Sequence, residues 1–264
     1  MKVCSIASGS SGNCIYVGDE KKHILIDAGI SRKRIVEGLN QIGVAPGELD
    51  AIFVTHEHSD HIQGIHMMVK MFGTPVFATG GTLDGICMKD AKGVIGRDKL
   101  YQLYADEPVW IGNIKVMPFH MSHDAAEPVC YTVESGGQKL GVATDLGMFD
   151  DYIIQHLEGC DILLLEANHD ISMLEAGKYP YSLKRRILSD RGHLSNEASG
   201  QLLCRLSQKR LKYAFLAHLS KENNYPQLAY EAVKCQIWEE MGINTLPFQL
   251  MVAERDKPSP LVAL

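Results

Sequence analysis

At 264 residues and 45% hydrophobic, the chain is long enough to bury a sizeable core as one large domain. Its formal net charge of −6 supplies no general attraction for nucleic acid, so a polyanionic substrate has to be drawn by a local basic patch or by bound cations. The seven scattered cysteines form no C-x-x-C pair and argue against a disulfide framework. The absence of a long apolar run and of an apolar leader after Met1 argues against a membrane span, so the expected location is the cytoplasm.

In chain order, Lys2 to Ala7 reads as a strand, followed by the turn Ser8-Gly9-Ser10-Ser11-Gly12-Asn13 and two strands, Cys14 to Val17 and His23 to Asp27. Ser31 is an expected N-cap, and Ile35, Leu39 and Ile42 recur at helical spacing until Gly43 and Pro46. The apolar run Ala51 to Val54 leads into Thr55-His56-Glu57-His58-Ser59-Asp60-His61 and then an amphipathic segment from Ile62 to Phe72. Pro75 to Ala78, Leu100 to Tyr104, Val109 to Ile111, Ile114 to Phe119, Val129 to Glu134 and Lys139 to Ala143 are strand-like. Helices are expected over Met148 to Leu157, Ser182 to Leu188, Asn196 to Leu206 and Gln227 to Met241. Strands are expected over Asp161 to Leu165, Tyr213 to Leu216 and Phe248 to Ala253. Each half is strand-rich with helices following, which predicts an α/β (α+β) protein built as an αββα sandwich. One domain over 1–254 and a loose tail over 255–264 are expected.

Three histidines and an aspartate within six positions, where a strand hands over to a helix, form a metal-ligand pattern. His56 and His58 alternate and can point at one ion, while Asp60 and His61 turn toward a neighbouring one. Two ions need further ligands from elsewhere in the chain.

The motif, together with Leu25-Ile26-Asp27-Ala28-Gly29 before it, resembles the metallo-β-lactamase superfamily. That resemblance implies an αββα sandwich with a metal site at its edge and three more ligands at strand ends: His123 in Met121-Ser122-His123-Asp124, Asp145 after the strand from Lys139, and His218 after the strand from Tyr213. It places His56, His58 and His123 on one ion, Asp60, His61 and His218 on the other, and Asp145 between them. Asp27 then orients the histidine loop. His120 competes with His123, and the neighbouring Asp124 and Pro128 favour His123.

Later motifs narrow the chemistry. Leu164-Leu165-Glu166-Ala167-Asn168-His169-Asp170, Arg191-Gly192-His193-Leu194-Ser195-Asn196 and His218-Leu219-Ser220 are similar to those of the tRNA 3′-processing nucleases. There the Glu166 counterpart orients the His193 counterpart, which protonates the departing oxygen, as a poor alkoxide leaving group requires. Without the resemblance, a carboxylate at an apolar strand end is already unusual. With Ser8 to Cys14 included, the combination resembles the YycJ/WalJ/VicX-type hydrolases, regarded as DNA exonucleases acting 5′ to 3′.

The expected catalytic residues are therefore His193, Glu166 and Asp60, with Asn168 and Arg186 contacting substrate and DNA as partner. Arg186 belongs to the basic group Lys184, Arg185, Arg186 and Arg191, which reads equally as a solvated helix face. Ser10, Ser11 and Asn13 offer either a phosphate grip through backbone N–H groups or a simple tight turn. Two divalent ions are expected: imidazole-rich ligation suits zinc, and the carboxylates admit manganese or iron. A hydrolase of small phosphodiesters or cyclic nucleotides is the competing enzyme, and a regulatory binding module on the same fold the competing non-enzyme.

Overall fold

A computed structural model describes residues 1–90, 93–207 and 210–264. Its strands form two mixed sheets flanked by helices, an α+β architecture. The chain divides into two compact units, one of residues 1–120, 125–137 and 254–264, the other of residues 121–124 and 138–253.

The first unit opens with β1 (Lys2–Ala7), β2 (Cys14–Gly18) and β3 (His23–Ile26), which pair antiparallel in that order. Helix α1 (Arg32–Gln41) starts where the Ser31 hydroxyl accepts from the Arg34 N–H and buries Ile35 and Leu39. Next comes β4 (Ala51–Phe53), parallel to β3. The segment expected as one helix from Ile62 to Phe72 is two: α2 (Ser59–Ile62) and α3 (Ile65–Phe72). The break falls at Gly64, whose N–H leaves the helical ladder to donate to the Ala28 carbonyl at 2.7 Å. Strand β5 (Val76–Ala78) is followed by α4 (Gly80–Lys89), which no sequence signal announced, and by β6 (Leu100–Gln102). Its Gly-Gly start is a weak helix former; the Glu127 carboxylate accepts from the Gly81 N–H at 2.8 Å and supplies the missing cap. Strands β7 (Val109–Ile111), β8 (Ile114–His120) and β9 (Val129–Ser135) follow as an antiparallel meander.

The second unit holds β10 (Gln138–Ala143), α5 (Asp151–Leu157), β11 (Ile162–Glu166), α6 (Ile171–Ala176), α7 (Tyr181–Ile187), α8 (Asn196–Leu206), β12 (Tyr213–Ala217), α9 (Pro226–Met241) and β13 (Gln249–Val252). Strands β10 to β13 pair parallel in sequence order, and the near-continuous apolar runs of β11 and β12 are what strands covered on both faces require. The stretch expected as a loose tail instead forms β14 (Val262–Ala263), which adds antiparallel to β1 in the first unit. Ser259 fixes it there, its N–H donating to the Ser5 carbonyl at 2.8 Å and its hydroxyl accepting from the Ser5 N–H at 3.0 Å. Among the described residues no helix is long and apolar enough to cross a membrane, and all seven cysteines are unbridged.

Asp161, just before β11, ties three strand starts together. Its buried carboxylate accepts from the Lys139 N–H at 2.9 Å and from Arg210, with Lys212 Nζ at 3.4 Å. Burial alone would raise its pKa, but these donors overrule it and hold the carboxyl below the usual carboxylate range. A depressed folded-state pKa contributes stability that is present above the unfolded value and lost as pH falls through the folded one. Asp161→Asn is therefore expected to cost about 1–3 kcal/mol at neutral pH. Thermal melts of the two proteins should converge as the pH is lowered below about 4; a gap that stays constant with pH would refute the assignment.

Candidate active site

In the first unit the histidine loop follows β4 and is held by residues from two other turns. Asp27, at the exit of β3, is buried with a left-handed backbone, φ 61°, a conformation uncommon outside glycine and concentrated at functional sites. Its carboxylate accepts from the Thr55 N–H at 2.8 Å, from the Thr55 hydroxyl at 3.0 Å and from His61 Nδ1 at 2.7 Å. Because the Thr55 hydroxyl hydrogen goes to Asp27, its oxygen is the acceptor for His56 Nδ1 at 3.0 Å. Both buried imidazoles thus carry their proton on Nδ1 and their lone pair on Nε2. The rings of His56 and His58 lie 4.5 Å apart and those of His56 and His61 4.1 Å apart, centroid to centroid.

Asn13 completes the support. Its N–H donates to the Asp60 carbonyl at 2.8 Å, its carbonyl accepts from the Gly29 N–H at 2.7 Å, and its side-chain Nδ2 lies 3.2 Å from His61 Nε2. Gly29 has no alternative here, since a Cβ would sit 1.6 Å from the Asp60 carbonyl oxygen. Within the serine-glycine turn, Asn13 thus supports the histidine loop.

In the second unit the buried Asp145 and His218 leave β10 and β12 with φ 59° and 55°. Asp145 Oδ1 stands 3.5 Å from His218 Nε2, 3.6 Å from His193 Nδ1 and 3.8 Å from His123 Nε2. Ligand atoms of Asp145, Glu166, His193 and His218 all lie within 4.8 Å of one another. His123 is buried, with Nδ1 3.3 Å from the Gly192 carbonyl, and burial lowers its pKa, favouring the neutral imidazole that a metal needs. His120, in the first unit, is exposed at the end of β8.

Glu166 is wholly buried at the end of β11 and engages more than the sequence indicated. Oε1 accepts from His193 Nδ1 at 2.9 Å and also from His218 Nδ1 at 2.7 Å, while Oε2 accepts from the Leu146 N–H at 2.8 Å and the Leu194 N–H at 3.2 Å. Burial works to raise its pKa, but the His193 charge and the imidazole hydrogen bonds win, and Glu166 is ionised. Reciprocally, burial lowers the His193 pKa, and the stronger pull of Glu166 leaves it above its ordinary value.

The two residues expected at the substrate are occupied otherwise. Asn168 is buried, and its Nδ2 donates to the His218 carbonyl at 2.9 Å, so it braces the strand end. Arg186 forks the Asp124 carboxylate, with Nη2 to Oδ1 at 2.9 Å; half-exposed, it lies next to His123 through Asp124. Arg191 donates to the His123 carbonyl at 3.2 Å, and Lys184 to the Glu175 carbonyl. Next to Asn168, His169 is buried, and burial presses its imidazole down to about 4, so it is neutral at physiological pH.

The donor chemistry fits divalent ions. His56, His61, His123 and His218 each have Nδ1 backed by a hydroxyl, a carboxylate or a carbonyl, the arrangement that fixes the tautomer and aims Nε2 at a metal. Carboxylates Asp60 and Asp145 would supply the hard oxygen donors.

Comparison with known proteins places these features in a family. A model described as a β-lactamase superfamily domain matches residues 22–218. The exodeoxyribonuclease YycJ of Bacillus anthracis is 38% identical over 90% of this chain and 89% of its own length, and the exodeoxyribonuclease WalJ of Streptococcus pneumoniae 36% identical over 100% and 98%. Among solved structures, Zn(2+)-bound PqqB from Methylobacterium extorquens superimposes with a TM-score of 0.73 at 16% identity, covering 98% of this chain and 99% of its own. The short form of human tRNase Z gives 0.67 at 15% identity, covering 100% of both chains.

Proposed function

Because this chain belongs to the β-lactamase superfamily and is a metal-dependent hydrolase, we propose that it is a DNA exonuclease working 5′ to 3′ with two divalent ions. In this reading His56, His58 and His123 would hold one ion and Asp60, His61 and His218 the other, with Asp145 a ligand common to both. Bound there, the ions would supply an activated water and offset the charge on the oxygens of the phosphate. The observation that carries the reading is Glu166 Oε1 shared between His193 and His218, because it joins a ligand position to a proton donor. His193, its pKa raised by that carboxylate, delivers its Nε2 proton to the departing sugar oxygen. The full-length likeness to two exodeoxyribonucleases supports DNA as the substrate. The acidic chain then relies on the ions and on the exposed Arg185 to receive the phosphate backbone.

Cleavage of 5′-labelled single-stranded and duplex DNA, compared with bis-p-nitrophenyl phosphate in manganese and in zinc, tests the proposal. Release of labelled mononucleotide from the 5′ end is expected. Turnover of the small ester alone would leave a small-phosphodiester hydrolase, and turnover of neither a binding module.

Asp27→Asn tests the ligand set. An amide cannot accept from both Thr55 and His61 as the carboxylate does, so metal affinity is expected to fall roughly 10–100-fold, measured as metal retained after dialysis against a chelator. Full retention would remove Asp27 and His61 from the metal site.

A further inference from the structure

A cavity of about 320 Å³ opens in the first unit immediately beside Asp60, and nothing in the mechanism above uses it. Four isoleucines, Ile62, Ile65, Ile86 and Ile95, supply apolar walls, and the imidazole of His66, with 37% of its side chain exposed, adds a ring face. Two carboxylates, Asp60 and Asp90, also line it; Asp60 is assigned to an ion in the reading above, and Asp90 leaves the cavity an acceptor for the N–H donors of a neutral base. Cations stand at the mouth instead. Arg255 Nη1 lies 3.2 Å from the hydroxyl of Ser11, a lining residue, and Lys89 is at the rim, donating to the Glu57 carbonyl at 2.8 Å.

The turn that carries Ser10 and Ser11 is held at both ends. Gly12 sits at φ 154°, where a Cβ would meet the Gly29 carbonyl oxygen at 2.7 Å, and the Gly9 N–H donates to Asn13 Oδ1 at 3.0 Å. Through Asn13 the same turn grips Asp60 and His61. Cavity and metal loop are thus fixed to one scaffold.

Resting on the nuclease reading, we propose that this cavity receives the base of the terminal nucleotide of the strand being degraded, with Ser10, Ser11 and Arg255 meeting a phosphate at its mouth. Unpaired bases are held in this way, between apolar and aromatic side chains with polar groups on their edges. A cavity at the small end of the ~300–1,000 Å³ range of ligand sites has room for one nucleoside. Occupancy by a single strand end beside Asp60 would make the enzyme cut one nucleotide at a time.

The test uses the full chain with its metal and short phosphorothioate strands, which resist cleavage, carrying 2-aminopurine at the 5′ end, the centre or the 3′ end. A saturable fluorescence change is expected for the 5′-terminal position only. Gln63→Trp, which fills the cavity from an exposed lining position, and His66→Ala, which removes the ring face, are each expected to weaken binding of that strand roughly tenfold, the size of one lost stacking partner. Equal response at all three positions, no response at the 5′ end, or unaltered binding by both variants would overturn the base pocket. Cleavage of ordinary end-labelled DNA is followed in parallel. If DNA is cut and the pocket tests fail, only this inference falls; if DNA is not cut, the nuclease reading falls and this one with it.

Discussion

Glu166→Gln is expected to reduce DNA cleavage at least a hundredfold and to loosen metal binding at the same time. The carboxylate accepts four hydrogen bonds, two imidazole N–H groups on Oε1 and two backbone N–H groups on Oε2. A glutamine has only one oxygen to offer. Turned toward the histidines, it aims its NH₂ at the Leu146 and Leu194 amides; turned the other way, it aims its NH₂ at both imidazoles. Either orientation sets a donor against a donor in a fully buried place and costs about 1–3 kcal/mol of stability. His218 also loses the acceptor that fixes its tautomer, which weakens metal affinity roughly 10–100-fold, and His193 loses the charge that raises its pKa. Steady-state cleavage at saturating metal, together with metal retention, separates the two effects. Wild-type rates at saturating metal would mean that Glu166 positions only a ligand and no proton donor.

His193→Ala is expected to slow DNA cleavage about 10²–10⁴-fold, the range for a general acid, while metal content stays at its wild-type value. The leaving group supplies the control. A sugar alkoxide needs a proton as it departs, whereas a nitrophenolate leaves without one, so the loss on bis-p-nitrophenyl phosphate should be much smaller than the loss on DNA. Equal losses on both substrates would remove the proton-donor role. A fall in metal content would make His193 a ligand.

Much of the framework was legible in the chain itself. The strands of the second unit announce themselves as apolar runs, and helix α8 is read to the residue because Ser195 caps it and the apolar spacing ends at Leu206. The places where sequence fails share a cause: the partner that decides the structure lies far along the chain. Helix α4 depends on Glu127, and strand β14 on β1 at the opposite terminus. The division of the histidine helix at Gly64 depends on the Ala28 carbonyl.

By itself, the sequence named the residues expected to carry the chemistry, because metal ligation and proton transfer demand particular side chains at strand ends, and His56, His58, Asp60, His61, His123, Asp145, Glu166, His193 and His218 stand in that order along the chain. Tertiary structure decided what surrounds each of them. Asn168 and Arg186 are expected as substrate contacts, yet one braces the His218 carbonyl and the other is engaged by Asp124. Asn13 and Thr55 stand inside motifs without a ligand role of their own, and the structure has them set the tautomers and position of the histidine loop. The left-handed backbone at Asp27, Asp145 and His218 is equally silent in sequence. The physical reason is that a side chain's chemistry is local, whereas the direction it points and the atom that accepts its proton are fixed by contacts between segments distant in the chain.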